Sequence, residues 1–460
     1  MMIISKLSLA EIWEACVNEG MLRFLVLLAV LLRGAFASEF NPGVGERIVW
    51  AGDSITHQCK YTQYVENFLY TRFSDKRLRF FNAGIKGDSA KDLLDRFDED
   101  VAFFEPDWAT VLLGMNDGRY RGYDAANFEL YQKDMTRALD RFERIGANAV
   151  ILSPSMFDHR QYNLRNQEDD FRFKRTNPHS EYNAKLAFYG GWLRSVAVER
   201  GLPYVDFWGA MNDLTAQFRL EDETFSFLPD SIHPNPSGMA IMAERMATFF
   251  AGERDLASRV SIEVTETKAK AIEGDVIIEE FDGDGLLANV RPRALPWVLA
   301  ATGKMGPAPW KHVDDPRLGF AAVLEGSNLN DDILEVTGLY SGRYDVYMNG
   351  EWILQTDHFE LAHGLRLQNV ENTPAYRQSI EVALLNAERN DEAMRPYRNL
   401  QGRMKGARNK NADSPEALAR FREGIAPELD RLLRLAQAYE ERIHEIAVPR
   451  AYRLEIRRVQ

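Results

Sequence analysis

The sequence predicts an α/β fold with a mostly parallel sheet, followed by a C-terminal accessory domain of strands and helices. From residue 47 to residue 252, short apolar segments alternate with segments of helical periodicity. This alternation is the pattern of a parallel sheet that is covered by helices on both faces. After about residue 256 strand patterns come first and helical patterns follow. The predicted domains are therefore residues 38–255 and residues 256–460.

Five apolar segments are predicted as the strands of the sheet: Arg47–Ala51, Leu78–Asn82, Trp108–Leu113, Asn148–Leu152 and Leu202–Asp206. Helical periodicity predicts the helices that accompany them: Tyr61–Phe73, Ser89–Phe104, Asn127–Ile145, Glu181–Arg200 and Pro236–Phe250. Ligands of such sheets bind beyond the carboxyl ends of the strands. Polar residues that directly follow a strand are therefore candidates for function.

A long polar segment, residues 156–180, interrupts the alternation. It contains charged and aromatic side chains such as Phe157, Arg160 and Phe173. Long irregular segments of compact domains tend to be functional or disordered. Because aromatic residues are frequent here, we expect an ordered substrate wall, and a mobile flap is the alternative.

The accessory domain is predicted to be β-rich over residues 256–370, helical over residues 376–446, and to end in a strand at Tyr452–Ile456. Asn349 and Gly350 lie between alternating apolar residues, which is the strongest short signal of a β-hairpin. The helical stretch predicts an antiparallel pair that is inserted into the β-rich part, with the last strand returning to that part. A dimerisation arm is another interpretation of these helices, and the sequence leaves the oligomeric state open.

The N-terminus predicts an export signal over residues 1–37. A basic start at Met21–Arg23, an apolar run at Phe24–Leu32 and a small-residue cleavage site at Ala35–Ala37 form its three parts. Acidic residues before Met21 do not suit such a signal, so translation is expected to start at Met21, and a start at Met1 is the alternative. We expect a bacterial periplasmic or secreted protein without a membrane span after signal removal. An amphipathic N-terminal helix of a cytosolic protein is the alternative.

Charge and cysteine content exclude several classes of protein. The formal net charge of −13 argues against binding to nucleic acid or anionic membranes, which both require a basic surface. Cys16 and Cys59 are the two cysteines, and the first would be lost with the signal, so no internal disulfide is expected. Histidines, cysteines and carboxylates do not show metal-ligand spacing, so we expect neither a metal nor another cofactor.

A serine, a histidine and an aspartate suggest nucleophilic catalysis. Ser54 follows the first strand at the start of a helix, where unpaired backbone N–H groups can receive negative charge. A base must take its proton, and His233 is the candidate. Asp230 lies three residues earlier and can orient the imidazole from the same side of a turn. The structural alternatives are a helix N-cap, a solvated loop histidine and a turn cap.

Two further residues, Gly84 and Asn116, each follow a predicted strand. Glycine lets a substrate oxygen approach the main chain closely, and an asparagine amide is a neutral hydrogen-bond donor. With the N–H of Ser54 they are candidates for an oxyanion hole. The alternatives are a turn glycine and an Asx turn. Asp53, Asp88 and Asp117 are expected to have structural roles near these candidates. His57 is expected on the surface of a helix, and a place in the lining of the pocket is the alternative.

The segments that hold these candidates follow one another as Gly-Asp-Ser, Asn-Ala-Gly-Ile-Lys-Gly-Asp, Gly-Met-Asn-Asp and Asp-Ser-Ile-His. With these four segments in order, residues from about 45 to 252 resemble the SGNH hydrolases, also called the GDSL esterase/lipase family. The resemblance implies a flavodoxin-like three-layer α/β/α domain and no cofactor. It also implies a catalytic triad of Ser54, Asp230 and His233, and an oxyanion hole of Ser54, Gly84 and Asn116. The Gly-x-Ser-x-Gly elbow of ordinary lipases is not present.

These observations together predict an exported serine esterase that hydrolyses carboxylic esters through an acyl-enzyme. Export and the aromatic segment favour O-deacetylation of a carbohydrate, so the expected partner is an ester substrate such as an acetylated glycan. Two alternatives remain open: a lipid or thioester hydrolase, and a catalytically idle glycan-binding protein.

Overall fold

The structure is a computed structural model that describes residues 39–252, 256–282, 284–304, 306, 312–410 and 414–459. The predicted export signal over residues 1–37 lies outside these residues and stays a prediction. Within the described ranges, no helix combines the length and the apolar character that are needed to cross a membrane.

The central sheet consists of five strands: β1 (Arg47–Gly52), β2 (Arg79–Gly84), β3 (Trp108–Leu112), β4 (Asn148–Leu152) and β5 (Tyr204–Val205). Their order is β2–β1–β3–β4–β5, and every neighbouring pair is parallel. The predicted parallel sheet is confirmed, with strand ends that differ by one or two residues from the prediction.

Eight helices belong to the same part of the described chain: α1 (Ser54–His57), α2 (Lys60–Arg72), α3 (Ala90–Asp100), α4 (Ala125–Arg144), α5 (His159–Arg165), α6 (Tyr182–Arg200), α7 (Phe207–Phe218) and α8 (Pro236–Ala251). Alternate residues of β1 belong to different cores. Ile48 and Trp50 are buried with residues of α2 and α8, whereas Val49 and Ala51 are buried with residues of α3, α4 and α6. The result is the three-layer α/β/α architecture that the resemblance implies.

Helices α5 and α7 are absent from the sequence prediction. Each begins directly after an aspartate that caps it: Asp158 accepts the N–H of Gln161, and Asp206 accepts the N–H of Gly209. An aspartate at this position is a common start signal of a helix. The first of them shows that the 156–180 segment is not a continuous loop.

Nine further strands lie in the described residues of the accessory region: β6 (Ser258–Val264), β7 (Ala269–Glu273), β8 (Asp275–Phe281), β9 (Gly285–Arg291), β10 (Asp332–Thr337), β11 (Arg343–Met348), β12 (Glu351–Asp357), β13 (Leu365–Arg366) and β14 (Tyr452–Arg458). They form two sheets, in the orders β13–β10–β6–β7 and β12–β11–β14–β9–β8. Apolar side chains from both sheets share one core. Two short helices, α9 (Arg317–Leu324) and α10 (His358–His363), lie between the strands.

The predicted hairpin joins β11 to β12. Asn349 and Gly350 form its two-residue turn, and both have positive φ angles, of 52° and 82°. This geometry matches the right-handed twist of the strands, and asparagine and glycine adopt it most readily. The last strand, β14, lies between β11 and β9, so the chain returns to the β-rich part as expected.

Three long helices separate β13 from β14: α11 (Pro374–Arg389), α12 (Arg395–Lys410) and α13 (Pro415–Ala447). Their buried side chains pack into the cores of the α/β part. Val382 and Ile443 share a core with Trp50, and Tyr397 and Leu432 belong to the core on the other face of the sheet. The hydrophobic contacts therefore cross the domain boundary that the sequence predicts at residue 255.

Charged side chains from these helices reach the exposed edge of the central sheet. Arg389 donates to the carbonyl of Phe80 in the edge strand β2, and Glu440 accepts the N–H of Phe80 at 3.0 Å. The guanidinium also pairs with Glu66 at 3.4 Å and with Glu440 at 2.8 Å, and all three side chains are at most 3% exposed. Buried ions thus satisfy backbone groups that a sheet edge leaves unpaired.

Replacement of Arg389 by leucine should destabilise the protein strongly, because two carboxylates would remain buried without their common partner. We expect the free energy of unfolding to fall by about 3–5 kcal/mol in urea denaturation. The matched control is Arg377→Leu, which removes an exposed pair with Glu351 and should change it by less than about 1 kcal/mol. Equal effects of both substitutions would contradict the structural role of the buried cluster.

Candidate active site

Ser54 lies at the carboxyl end of β1 and is the first residue of α1. Asp53 caps this short helix by accepting the N–H of Ile55 at 2.9 Å. Gly52 permits the turn, because a Cβ atom there would lie 2.2 Å from Oγ1 of Thr56 and 2.9 Å from the carbonyl of Leu112. The glycine therefore lets α1 fold back onto the sheet and places Ser54 at the edge where ligands of such sheets bind.

Ser54, His233 and Asp230 form a continuous chain of hydrogen bonds. Oγ of Ser54 lies 2.8 Å from Nε2 of His233, and Nδ1 of the same ring lies 2.8 Å from Oδ2 of Asp230. Because a carboxylate can only accept, Nδ1–H donates to Asp230, and Nε2 is left to accept the serine proton. The serine and the histidine are at most 9% exposed. This is the arrangement of an activated serine nucleophile with its base and orienting acid.

The turn from Asp230 to His233 holds its own carboxylate in place. Oδ1 of Asp230 accepts the N–H of Ile232 at 3.1 Å and that of His233 at 2.7 Å. Ser231 makes the turn possible with a φ angle of 76°. Burial tends to raise the pKa of Asp230, but the charge of His233 and these hydrogen bonds outweigh it, so that this pKa is lowered. The carboxylate therefore stays ionised beside the imidazole.

The 156–180 segment is an ordered wall beside this turn. Asp158 donates its N–H to the carbonyl of Ser231 at 2.9 Å, and Arg165 donates to the carbonyl of Pro229 at 2.9 Å. The ring of Phe173 lies 5.7 Å from the ring of His233. The segment thus packs against the turn that carries the histidine, and its role as a substrate wall stays a prediction.

Asn116 follows β3 and its amide is fixed by the neighbouring turn. Nδ2 donates one hydrogen to the carbonyl of Asp88 at 2.9 Å and the other to Oδ2 of Asp53 at the longer distance of 3.5 Å, a weak bond that an oxyanion can replace. Since an amide nitrogen carries two hydrogens, the bond to Asp88 orients the second one. The close approach to Asp53, next to the nucleophile, places this donor at the site.

Gly84 does not fit the role of an oxyanion donor that the resemblance implies. Its N–H donates to Oδ1 of Asn82 at 2.9 Å, so it is engaged inside the protein. A Cβ at Gly84 would lie 2.4 Å from the backbone nitrogen of His57, which means that this glycine makes room for α1. Glycine is therefore required at this position by the packing of α1 against β2.

Gly87, three residues later, suits the role better. It is exposed, has a φ angle of 70° and would have no atom within 4 Å of a Cβ. Among the described residues, its N–H makes no hydrogen bond. It adjoins Asp88, whose carbonyl holds Asn116. The second glycine of Asn-Ala-Gly-Ile-Lys-Gly-Asp is the sequence signal that could have indicated it.

Three aspartates lie behind the site, of which Asp53 and Asp88 are buried and Asp117 is partly buried. Burial raises the pKa of Asp53 and of Asp117 to about 7 each. Asp117 accepts the N–H of Ala90 at the start of α3, and Asp88 pairs with Arg96 at 2.7 Å. These contacts hold neighbouring segments together, as expected for aspartates with structural roles.

His57 differs from its expected place on a helix surface. Its side chain is 1% exposed, and Nε2 lies 3.0 Å from Oδ1 of Asn399 in α12. Burial lowers its pKa to about 3, so the ring is neutral. Within the described part of the chain, no group of three histidine, cysteine or carboxylate side chains could hold a metal ion.

Comparison with known proteins identifies the family of the α/β part. Residues 51–241 match the model of the GDSL-like Lipase/Acylhydrolase family. This part of the chain is a domain of the SGNH hydrolase family. As a member of this family it is a carboxylic ester hydrolase. The match covers all four motifs and ends before the accessory region.

Two relatives show how far the similarity extends. The chain is 26% identical over 220 residues to an acetylxylan esterase of Geobacillus stearothermophilus, a match that covers 44% of this chain and 92% of the relative. The solved structure of a gut microbial diltiazem-metabolizing enzyme superposes with a TM-score of 0.76 at 22% identity. That superposition covers 92% of this chain and all of the other, so the fold is shared beyond the hydrolase domain.

Replacement of Asn116 by alanine should slow turnover, because one neutral donor to the developing oxyanion would be lost. We expect kcat to fall by about 10²–10³-fold with a smaller change in KM, measured with p-nitrophenyl acetate. The control is Asn127→Ala, which removes an amide bonded to the carbonyl of Asp117 in the same loop. A loss of the same size in the control would assign the effect to loop structure.

The pKa of Asp117 predicts a pH-dependent stability. The pKa of Asp117 is about 7 in the folded protein and ordinarily 3.8, so folding favours the protonated carboxyl. The stability that this carboxyl contributes is therefore fully present below pH 3.8 and is lost as pH rises through about 7. Asp117→Asn removes this titration. Urea denaturation between pH 4 and pH 8 should therefore show the variant gaining stability relative to wild type as pH rises.

Asp222→Asn is the control for this measurement, because the pKa of exposed Asp222 is lowered by hydrogen bonds to Thr224. Because a lowered pKa contributes stability that is complete once the carboxyl is ionised in the unfolded chain too, the difference between this variant and wild type should not change with pH above about pH 5. A stability difference between wild type and Asp117→Asn that stayed constant across the pH range would contradict the prediction.

Proposed function

We propose that the protein is a serine esterase that works through an acyl-enzyme, and the hydrogen-bonded chain of Ser54, His233 and Asp230 carries this proposal. Oγ of Ser54 attacks the ester carbonyl while Nε2 of His233 takes its proton. The imidazolium, stabilised by Asp230, then protonates the leaving alcohol. Water attacks the acyl-enzyme with the same histidine as base, which releases the acid and restores the serine.

The negative charge of each tetrahedral intermediate requires preorganised donors. We assign this role to the N–H of Ser54 at the start of α1 and to the amide of Asn116. The N–H of Gly87 completes the set in place of Gly84, whose N–H is bonded to Asn82. All three donors are neutral, so their function does not depend on a protonation change.

As the substrate we propose an acetylated carbohydrate. The similarity to an acetylxylan esterase supports this class. A cavity of about 190 Å³ next to Pro234, the residue after the histidine, has a mixed lining in which apolar side chains alternate with charged ones such as Lys60, Asp314, Asp391 and Arg395. The charged groups can bond the hydroxyl groups of a sugar, and the apolar ones can pack against its ring.

We further propose that the protein is exported to the periplasm or secreted. The basic, apolar and small-residue segments between Met21 and Ala37 support this proposal. N-terminal sequencing of the protein from a bacterial host should begin at Ser38. A mature chain that retained residues before Ala35 would contradict it.

The function is tested by hydrolysis of p-nitrophenyl acetate, p-nitrophenyl octanoate and acetylated xylo-oligosaccharides. Wild type should prefer the acetyl esters, and Ser54→Ala should lower kcat by about 10⁴-fold or more. Ser195→Ala is the control, since its hydroxyl is exposed on α6 and should leave activity unchanged. Preference for octanoate would favour a lipid or thioester hydrolase. Glycan binding without Ser54-dependent hydrolysis would favour a binding protein.

A further inference from the structure

Helix α12 of the accessory region contacts the segment that carries Ser54. Oδ1 of Asn399 lies 3.0 Å from Nε2 of buried His57, three residues after the nucleophile. One turn earlier on the same helix, Nε of Arg395 donates to the carbonyl of Gln58 at 3.2 Å. A helix more than 300 residues later in the sequence thus holds the end of α1.

The same helix also contacts the end of β2 and the turn that follows it. Nε of Arg398 donates to the carbonyl of Gly84 at 3.0 Å. Nζ of Lys405 donates to the carbonyl of Gly87 at 3.1 Å and to Oδ1 of Asp88 at 2.8 Å. Asp88 in turn accepts the amide of Asn116 through its backbone carbonyl. Lys405 therefore contacts Gly87, whose N–H is a proposed oxyanion donor. It is also linked through Asp88 to the amide of Asn116, the side-chain donor.

Buried charges make this arrangement resistant to movement. Arg398 pairs with Asp100, Asp100 pairs with Arg96, and Arg96 pairs with Asp88. These four side chains are at most 4% exposed. A shift of the turn would separate a buried ion from its partner, which is costly in a medium of low dielectric constant. Lys405 pairs with Asp88 at the solvent side of this chain of ion pairs, and its side chain is 19% exposed.

We propose that α12 positions the oxyanion hole, and that Lys405 is the residue of the accessory region that fixes the turn of Gly87 and Asp88 for the transition state. This inference rests on the proposed esterase mechanism. The accessory region is accordingly part of the catalytic apparatus, and the positioning role does not require Lys405 to touch the substrate. A displacement of donors by a fraction of an ångström weakens their bonds to an oxyanion more than their bonds to a ground-state ester.

Substitution of Lys405 by methionine tests the proposal, since methionine retains the length of the side chain and removes the donors. We expect kcat per active site to fall by about 10- to 100-fold, with KM changed by less than about twofold. Lys405→Arg keeps a charged donor and should restore activity at least partly. Arg408→Met is the matched control: it lies on the same helix and bonds Glu99 of α3, away from the turn.

Active-site titration with an organophosphonate separates positioning from folding, because it counts the protein molecules whose Ser54 reacts. A lower kcat per titrated site in Lys405→Met, with normal values in the arginine and Arg408→Met variants, supports the proposal. A lower titrated fraction with unchanged kcat per site would show a structural role only and would overturn it. Equal losses in Lys405→Met and Arg408→Met would overturn it as well.

Affinity for a boronic acid that forms a tetrahedral adduct with Ser54 gives a second readout. In Lys405→Met this affinity should fall in parallel with kcat/KM, and unchanged affinity would overturn the proposal. A failure of the proposed function looks different. In that case wild type itself would show no Ser54-dependent hydrolysis, whereas a failure of the positioning role leaves wild type active and Lys405→Met equally active.

Discussion

Charged side chains from the C-terminal helices satisfy the open edge of the central sheet, and much of the structure depends on this contact. The edge strand β2 leaves the N–H and the carbonyl of Phe80 without a neighbouring strand. Glu440 and Arg389 bond these two groups, and Glu66 completes the buried cluster. Because a buried ion without a partner is unstable, the helices, the edge strand and α2 must assemble together. The edge is also protected from pairing with another chain.

The accessory region is therefore not a separate unit but completes the hydrolase domain. Its strands form two sheets with a core of their own, but its three long helices complete the cores of the hydrolase domain. The helices leave the β-rich part after β13, pack along α2, and return through β14. A chain that crosses between the two parts in both directions ties their stability together, and it also brings α12 to the back of the active site.

The proposed active site combines a triad built from local contacts with oxyanion donors that depend on distant support. The triad is local: Asp230 orients His233 within a single turn, and the wall of residues 156–180 braces that turn. The donors are not local, because Asn116 is oriented by the carbonyl of Asp88, which belongs to a turn contacted by Lys405. Electrostatic stabilisation of an oxyanion requires donors that are already in place before the reaction.

Much of the hydrolase domain could be predicted from the sequence, since its signals are local. Five apolar segments and the helices between them determine a parallel sheet, and the residues after β1 and β3 identify Ser54 and Asn116. The Asp-x-x-His pair needs only one turn to form. The Asn-Gly hairpin was predictable for the same reason, because positive φ angles are a property of two adjacent residues.

Contacts between distant residues were decided only by the tertiary structure. Gly84 was assigned to the oxyanion hole because glycines in a motif look alike, and only the bond from its N–H to Asn82 and the open surroundings of Gly87 distinguish the two. His57 was expected at the surface, and a helix from the end of the chain buries it. Helix α12 carries no catalytic motif, so its sequence could not indicate that it lies behind the nucleophile. Residue type and spacing along the chain are enough to indicate a serine, a base and an acid in one site. The tertiary structure decided which donors are available and what holds them, because these properties depend on packing and burial between segments far apart in sequence.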